Sequence, residues 1–258
     1  MRTKKKGPPG RSKSSEEWIY GLNPVLEAVQ SGREVKTVFL FSGRKDKLTE
    51  IEQELSAHGI KITKADALFF DSRFPKGHQG IAAIVAPRTY ADVEDLLAVP
   101  SEKSEAPLFL ILDCLEDPRN FGAILRVADA GGVHGVVIQA YRSASLSPEA
   151  VKASAGASEH IPVAMVPNIK HAMRQMKDSG IMIAGAEASA EGEIWDADLR
   201  GPLAVVIGSE GHGLRRTVKG ECDLLLNLPM KGRVNSLNAS VAAGIIIFEV
   251  MRQRRSKC

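Results

Sequence analysis

The stretch LFLILDCLEDPRNFGAILRVADAGGVHGVVIQA, residues 108–140, switches twice between two kinds of apolar pattern. Leu108 to Leu112 is an unbroken apolar run, which reads as a strand buried on both faces of a parallel sheet. NFGAILRVADAGG reads as a helix, with Asn120 a natural N-cap and Gly131 a natural C′ stop. HGVVIQA, residues 134–140, is strand again. A strand, a helix and a second strand within so few residues is the unit from which parallel sheets are built.

The alternation continues outward from there. SPEAVKASAGA reads as a helix, IPVAMV as a strand and IKHAMRQMKDSG as a helix. IMIAGAE, PLAVVIG and DLLLNLPM are strands, and a last helix runs from about Leu237 to Arg254. Residues 107–258 therefore predict an α/β domain with a mostly parallel sheet and helices on both faces. Upstream, residues 17–87 predict a smaller α/β unit. In it LNPVLEAVQSG starts a helix with Asn23 as N-cap and Pro24 at the first helical position, and Gly32 stops it. KTVFLF, IKIT and GIAAIVA are its strands, and KLTEIEQELSAHG is an amphipathic helix. Residues 88–106, with one short acidic helix and the polar, Pro-bounded end VPSEKSEAP, read as the linker.

The net charge of +3 is unevenly spread: residues 1–13 carry six Lys/Arg and residues 252–258 carry four, neither with an acid, which leaves about −7 for the rest. Residues 1–16 are expected to be a disordered basic tail able to touch phosphates without sequence preference, although a merely solubilising tail has the same composition. No apolar run has the length of a membrane span, and the N-terminus lacks the apolar core of a secretory signal. The three cysteines, Cys114, Cys222 and Cys258, are far apart, so neither a disulfide framework nor a Cys-rich zinc site is expected, and a reducing cytoplasm is the default.

Ligands of open parallel sheets bind beyond the C-terminal ends of the strands. Three such ends carry unusual residues: LDCLEDPRNFGAILR (112–126), VVIGSEGHGL (205–214) and LPMKGRVNSLNAS (228–240). The second is glycine-rich but is neither G-x-G-x-x-G nor a phosphate-binding loop, which argues against a dinucleotide-dependent oxidoreductase. Its glycines suit a tight turn or a close backbone approach to a flat ligand. Arg126 interrupts an apolar helix, where it is either paired with Asp129 three residues on or placed to clamp a phosphate. The six histidines show no metal-ligand spacing, and Ser209 is not centred in a nucleophile elbow.

NFGAILRVADAGG, AVVIGSEGHGL and LPMKGRVNSLNASVAAGI resemble, in order and spacing, the three signature motifs of the SpoU family of RNA 2′-O-ribose methyltransferases, in the SPOUT superfamily. YGLNPVLEAV and GHQGIAA resemble the substrate-binding domain of the bacterial 23S rRNA guanosine 2′-O-methyltransferase subgroup. The resemblance implies a deep trefoil knot in the C-terminal domain, a homodimer, RNA as substrate and S-adenosylmethionine as cofactor. It implies catalytic roles for Arg126, Asn120, Glu210, Ser236 and Asn238, with Arg126 as the key residue, and cofactor contacts at Gly208, Leu228 and Leu237. On this reading a side chain at Gly208 would push into the cofactor's space. His78 and Gln79, in the GHQG turn, become candidate RNA contacts, while a plain turn is the alternative. Displacement at a sulfonium methyl needs no metal, in keeping with the missing ligand cluster. A tRNA target, or a non-catalytic RNA-binding protein on the same fold, remain open alternatives.

Overall fold

The structure is a computed structural model, and it describes residues 16–43, 45–209, 211–233 and 236–255. The basic N-terminal segment and Glu210 therefore lie outside the described residues.

In the C-terminal part, β5 (Leu108–Leu112), α5 (Pro118–Ala130) and β6 (Gly135–Gln139) form the unit expected from the sequence. All five residues of β5 are buried, and their alternation explains the unbroken apolar run. Leu108, Leu110 and Leu112 join one core cluster, with Phe121 and Leu125 of α5 and Ile247 and Val250 of α9 (Ala239–Arg255). Phe109 and Ile111 join another on the opposite face, with Leu96 of α4 (Val93–Lys103) and Met173 of α7 (Ile169–Asp178). The remaining strands are β7 (Val163–Val166), β8 (Met182–Ala186), β9 (Gly192–Glu193), β10 (Leu203–Ile207) and β11 (Leu224–Asn227). The sheet order is β7-β6-β5-β10-β8-β11-β9, and every neighbouring pair is parallel. Two short helices complete the domain, α6 (Pro148–Ala153) and α8 (Arg216–Lys219). Among the described residues no helix is long and apolar enough to cross a membrane.

The N-terminal part is a four-stranded sheet in the order β1-β4-β2-β3. Its strands are β1 (Glu17–Tyr20), β2 (Val35–Phe41), β3 (Ile62–Ala65) and β4 (Ile81–Val85). Helices α1 (Leu22–Gln30) and α2 (Lys45–Ala57) cover one face, and α3 (Ala67–Arg73) covers an aromatic cluster of Trp18, Tyr20, Phe39, Phe69, Phe70 and Phe74 on the other.

Three details depart from the sequence reading. Helix α1 starts at Leu22, one residue before Asn23, behind Gly21 with φ 97°. Helix α5 starts at Pro118, capped by Asp117, whose carboxylate accepts from the Arg119 N–H; Asn120 therefore lies inside the helix rather than at its cap. Helix α4 continues through the buried Pro100 to Lys103, so VPSEKSEAP is helical over most of its length. Val93 and Leu96 are buried in the second domain's core, and Ala91 pairs with Ala164 beside β7. Much of residues 88–106 is thus packed onto the second sheet.

The two domains meet at α6 and the turn after it. Val151 of α6 is fully buried in the N-terminal core. Arg33 bonds Glu17 at 2.7 Å and Glu159 at 3.2 Å, and Arg88 pairs with the same Glu159 carboxylate. Lys152 donates to Gln79 Oε1 at 2.7 Å.

Candidate active site

Four segments at the C-terminal edge of the large sheet enclose a cleft of about 340 Å3. They follow β8, β10 and β11 and precede α9. Ile207, Leu226 and Ala242 give it apolar walls, and Glu187, Ser209 and Ser236 supply polar groups. Gly208, Leu228 and Leu237 all line it.

The β10 loop is held in shape from within and from below. Ser209 and Gly213 exchange backbone hydrogen bonds at 3.2 and 3.0 Å, which draws these two residues together. A Cβ on Gly208 would lie 2.2 Å from the Gly213 carbonyl carbon and 2.6 Å from the Leu214 nitrogen. The absence of a side chain at Gly208 therefore serves the loop's own backbone, in line with the tight-turn reading of this glycine. Below the loop, Arg215 is anchored by Asp113, a fully buried carboxylate at the end of β5. It accepts the Arg215 N–H at 2.8 Å and Nε–H at 2.6 Å. Arg215 Nη2 also donates to Gln139 at the end of β6, at 2.7 Å. The ends of β5 and β6 are thereby tied to the start of α8. Sequence reading missed Asp113 and Arg215, whose only signal was an acid ending an apolar strand.

The segment before α9 forms the other wall. Asn238 Oδ1 accepts from the Ser240 N–H at 2.9 Å and from its hydroxyl at 2.6 Å, so Asn238 satisfies an open N–H of the helix's first turn. Its amide nitrogen donates to Asn120 Oδ1 at 3.0 Å. Because Asp117 caps α5, Asn120 lies inside the helix, where its buried side chain makes this contact. Two residues 118 positions apart are thus brought together.

Arg126 stands two turns further along α5. It is exposed, forms no ion pair or hydrogen bond among the described residues, and does not line the cleft. The alternative pairing with Asp129 is not formed. Among the described residues no group of His, Cys, Asp or Glu could hold a metal. In the N-terminal domain the His78 ring stacks on Phe70, with centroids 5.0 Å apart, and its Nδ1 accepts from the Gly80 N–H at 3.1 Å. Gln79 has φ 58°, and its Oε1 accepts from the Leu22 N–H at 3.0 Å as well as from Lys152. Both side chains hold the turn and the domain joint, far in the sequence from the cleft's loops.

Comparison with known proteins follows the same two domains. Residues 107–248 match the model of the SpoU rRNA methylase family, and residues 18–91 match that of the RNA 2′-O ribose methyltransferase substrate-binding domain. A Bacillus subtilis (strain 168) protein, YacO, assigned by name to the TrmH family of tRNA/rRNA methyltransferases, is 44% identical over 92% of this chain and 96% of its own. The crystal structure of the SpoU methyltransferase AviRb from Streptomyces viridochromogenes, in complex with the cofactor AdoMet, superposes with a TM-score of 0.78. It is 26% identical and covers 94% of this chain and 92% of that one. An AdoMet-bound rRNA methyltransferase from Sinorhizobium meliloti gives a TM-score of 0.76 at 25% identity, over 93% of this chain and 88% of its own. With a family match over more than half its length and a relative of this identity over nearly all of it, the chain belongs to the SpoU rRNA methylase family.

Proposed function

We propose that the protein transfers a methyl group from S-adenosylmethionine to a ribose 2′-hydroxyl of RNA, a guanosine of 23S rRNA, in the cytoplasm and as a homodimer. The observation that carries this reading is the convergence of Gly208, Leu228, Ser236 and Leu237, from three separate segments, on one cleft at the C-terminal edge of the sheet.

The cleft suits the cofactor. Its volume of about 340 Å3 is within the usual range for small-molecule sites. Apolar walls match the faces of an adenine, and the backbone at Gly208, Leu228 and Leu237 can hydrogen-bond its edges. When bound, S-adenosylmethionine supplies an electrophilic methyl on a sulfonium. The chain's own residues bring the acceptor into line with it. Arg126 clamps a substrate phosphate and stabilises the 2′-oxygen as it gains negative charge. A guanidinium stays protonated, so that role, and not proton abstraction, is the one assigned to it. Asn120 holds Asn238, and Asn238 and Ser236 orient the ribose; Glu210 orients Arg126 or its own loop. Alignment supplies much of the rate.

The N-terminal domain, with His78 and Gln79 in its turn, selects the RNA. An rRNA target is favoured because the rRNA methyltransferase from Sinorhizobium meliloti matches this chain across both domains. A C-terminal segment threaded as a knot belongs to the same reading, as the family resemblance implies. Transfer of a tritiated methyl group to 23S rRNA and to tRNA tests the function. Labelled 23S rRNA, with the label at a 2′-oxygen of guanosine, is expected; labelled tRNA alone would overturn the substrate, and no transfer to either would overturn the activity.

A further inference from the structure

One cleft residue has no part in the roles above. Glu187 follows β8, and its backbone is pinned: its N–H donates to Leu226 at 2.9 Å, and its carbonyl accepts from Ala190 at 3.1 Å. The side chain bends into the cleft and is only 12% exposed. Oε1 accepts from the Ser189 hydroxyl at 2.8 Å. Oε2 lies 2.7 Å from the Lys219 ammonium, yet among the described residues it is buried with no well-directed hydrogen bond. It also lies close against Gly213 of the β10 loop, 3.4 Å from where a Cβ would stand. Burial pushes the carboxyl up, but Lys219 and Ser189 outweigh it and hold the group below the usual glutamate range, so it is ionised.

An ionised oxygen taken out of water normally has its hydrogen-bonding capacity filled. Here one face is neutralised by Lys219 from behind, while the other is turned toward a ligand cleft. Among the described residues lining the cleft, Glu187 is the only carboxylate. S-adenosylmethionine offers donors of matching kind: the hydroxyls of its ribose and the α-ammonium of its methionine.

We propose, on the cofactor reading above, that Glu187 is a cofactor-binding residue whose carboxylate accepts a hydrogen bond from S-adenosylmethionine, at the ribose hydroxyls or at the α-ammonium. Lys219 is its positioning residue: it fixes the carboxylate's direction without touching the ligand.

The test is calorimetric titration of the full chain, wild type, E187Q and K219M, with S-adenosylmethionine, S-adenosylhomocysteine and 5′-methylthioadenosine, beside melting curves without ligand. E187Q keeps the side chain's size and its contact with Ser189 but loses the charge. A loss of about tenfold or more in affinity for S-adenosylmethionine is expected, at a nearly unchanged melting temperature. K219M is expected to weaken binding less than E187Q, since the carboxylate remains. An equal loss for 5′-methylthioadenosine, which keeps the ribose but lacks the ammonium, assigns the contact to the hydroxyls. A loss confined to the two amino-acid-bearing ligands assigns it to the ammonium. E187Q binding all three like the wild type overturns the inference. So do equal losses in E187Q and K219M with matching drops in melting temperature, which would make the pair a structural strut. A wild-type protein that binds none of the three overturns the cofactor reading itself.

Discussion

At the scale of single residues, Arg126 carries the clearest expectation. It is exposed, unpaired among the described residues and absent from the cleft lining, so removing its side chain disturbs no contact seen here. Arg126→Ala is expected to lower methyl transfer about a hundred- to a thousandfold while affinity for S-adenosylmethionine stays within error. Arg126→Lys should also fail, because a point charge lacks the planar fork. Single-turnover kinetics on rRNA checks both, and near-normal turnover in either variant would sink the role. Gly208 behaves differently. Any side chain there meets backbone of its own loop, so Gly208→Val should displace residues 209–214 and cost about 1–3 kcal/mol of stability together with cofactor affinity. A melting curve of the apo protein beside a titration reads both quantities; a variant that melts normally would refute this. The motif residues of the cleft stood out because each lies in a short stretch with a sequence pattern of its own. Asp113 was not, since its partner Arg215 lies 102 positions away, and neither was Glu187, which meets Lys219 only once β8 and α8 are folded.

At the scale of elements, strands were easier to read than helix ends. Strand β5 is buried on both faces, which leaves an unmistakable apolar run; helix starts depend on which of several polar residues takes the cap. In α5 Asp117 wins over Asn120, which leaves Asn120 inside the helix, where its Oδ1 accepts from Asn238. Helix α9 poses the opposite case, apolar on nearly every side. Part of it is core, with Ala243, Ile246, Ile247 and Val250 buried. Yet Val241 is 49% and Phe248 45% exposed, seven residues apart on one face, with Gly244 and Ile245 between them. Such a stripe suits packing against the same helix of a second copy. Phe248→Asp is therefore expected to convert the proposed dimer to a monomer in sedimentation velocity, leaving the fold's circular dichroism intact. A wild type that sediments as a monomer at tens of micromolar would rule the dimer out.

At the scale of the whole molecule, the two-domain division and the parallel sheet follow from the strand–helix alternation, but the joint between the domains does not. Composition marks residues 88–106 as a linker, because Pro100 and the polar run around it resemble a loop. Burial of Val93, Leu96 and Pro100 against the second sheet makes α4 part of that domain instead. The joint itself is built from residues distant in sequence: Val151 in the N-terminal core, and Glu159 shared by Arg33 and Arg88. These contacts decide how the chain can be cut. A fragment of residues 104–258 loses Val93 and Leu96, whose burial is worth about 1.5–3 kcal/mol each, and also loses Tyr90, whose hydroxyl accepts from the Leu146 N–H at 3.0 Å. A fragment of residues 89–258 keeps all three, uncovers the α6 face and leaves Glu159 without Arg33 and Arg88. The longer fragment is expected to melt cooperatively and to bind S-adenosylmethionine, while the shorter one melts well below it. If the N-terminal domain selects the RNA, the longer fragment should bind cofactor at near-normal affinity and yet lose most methylation of 23S rRNA. Mapping of 2′-O-methyl sites after incubation with the fragment decides the matter, and full rate with full selectivity would show that substrate choice resides in the C-terminal domain alone.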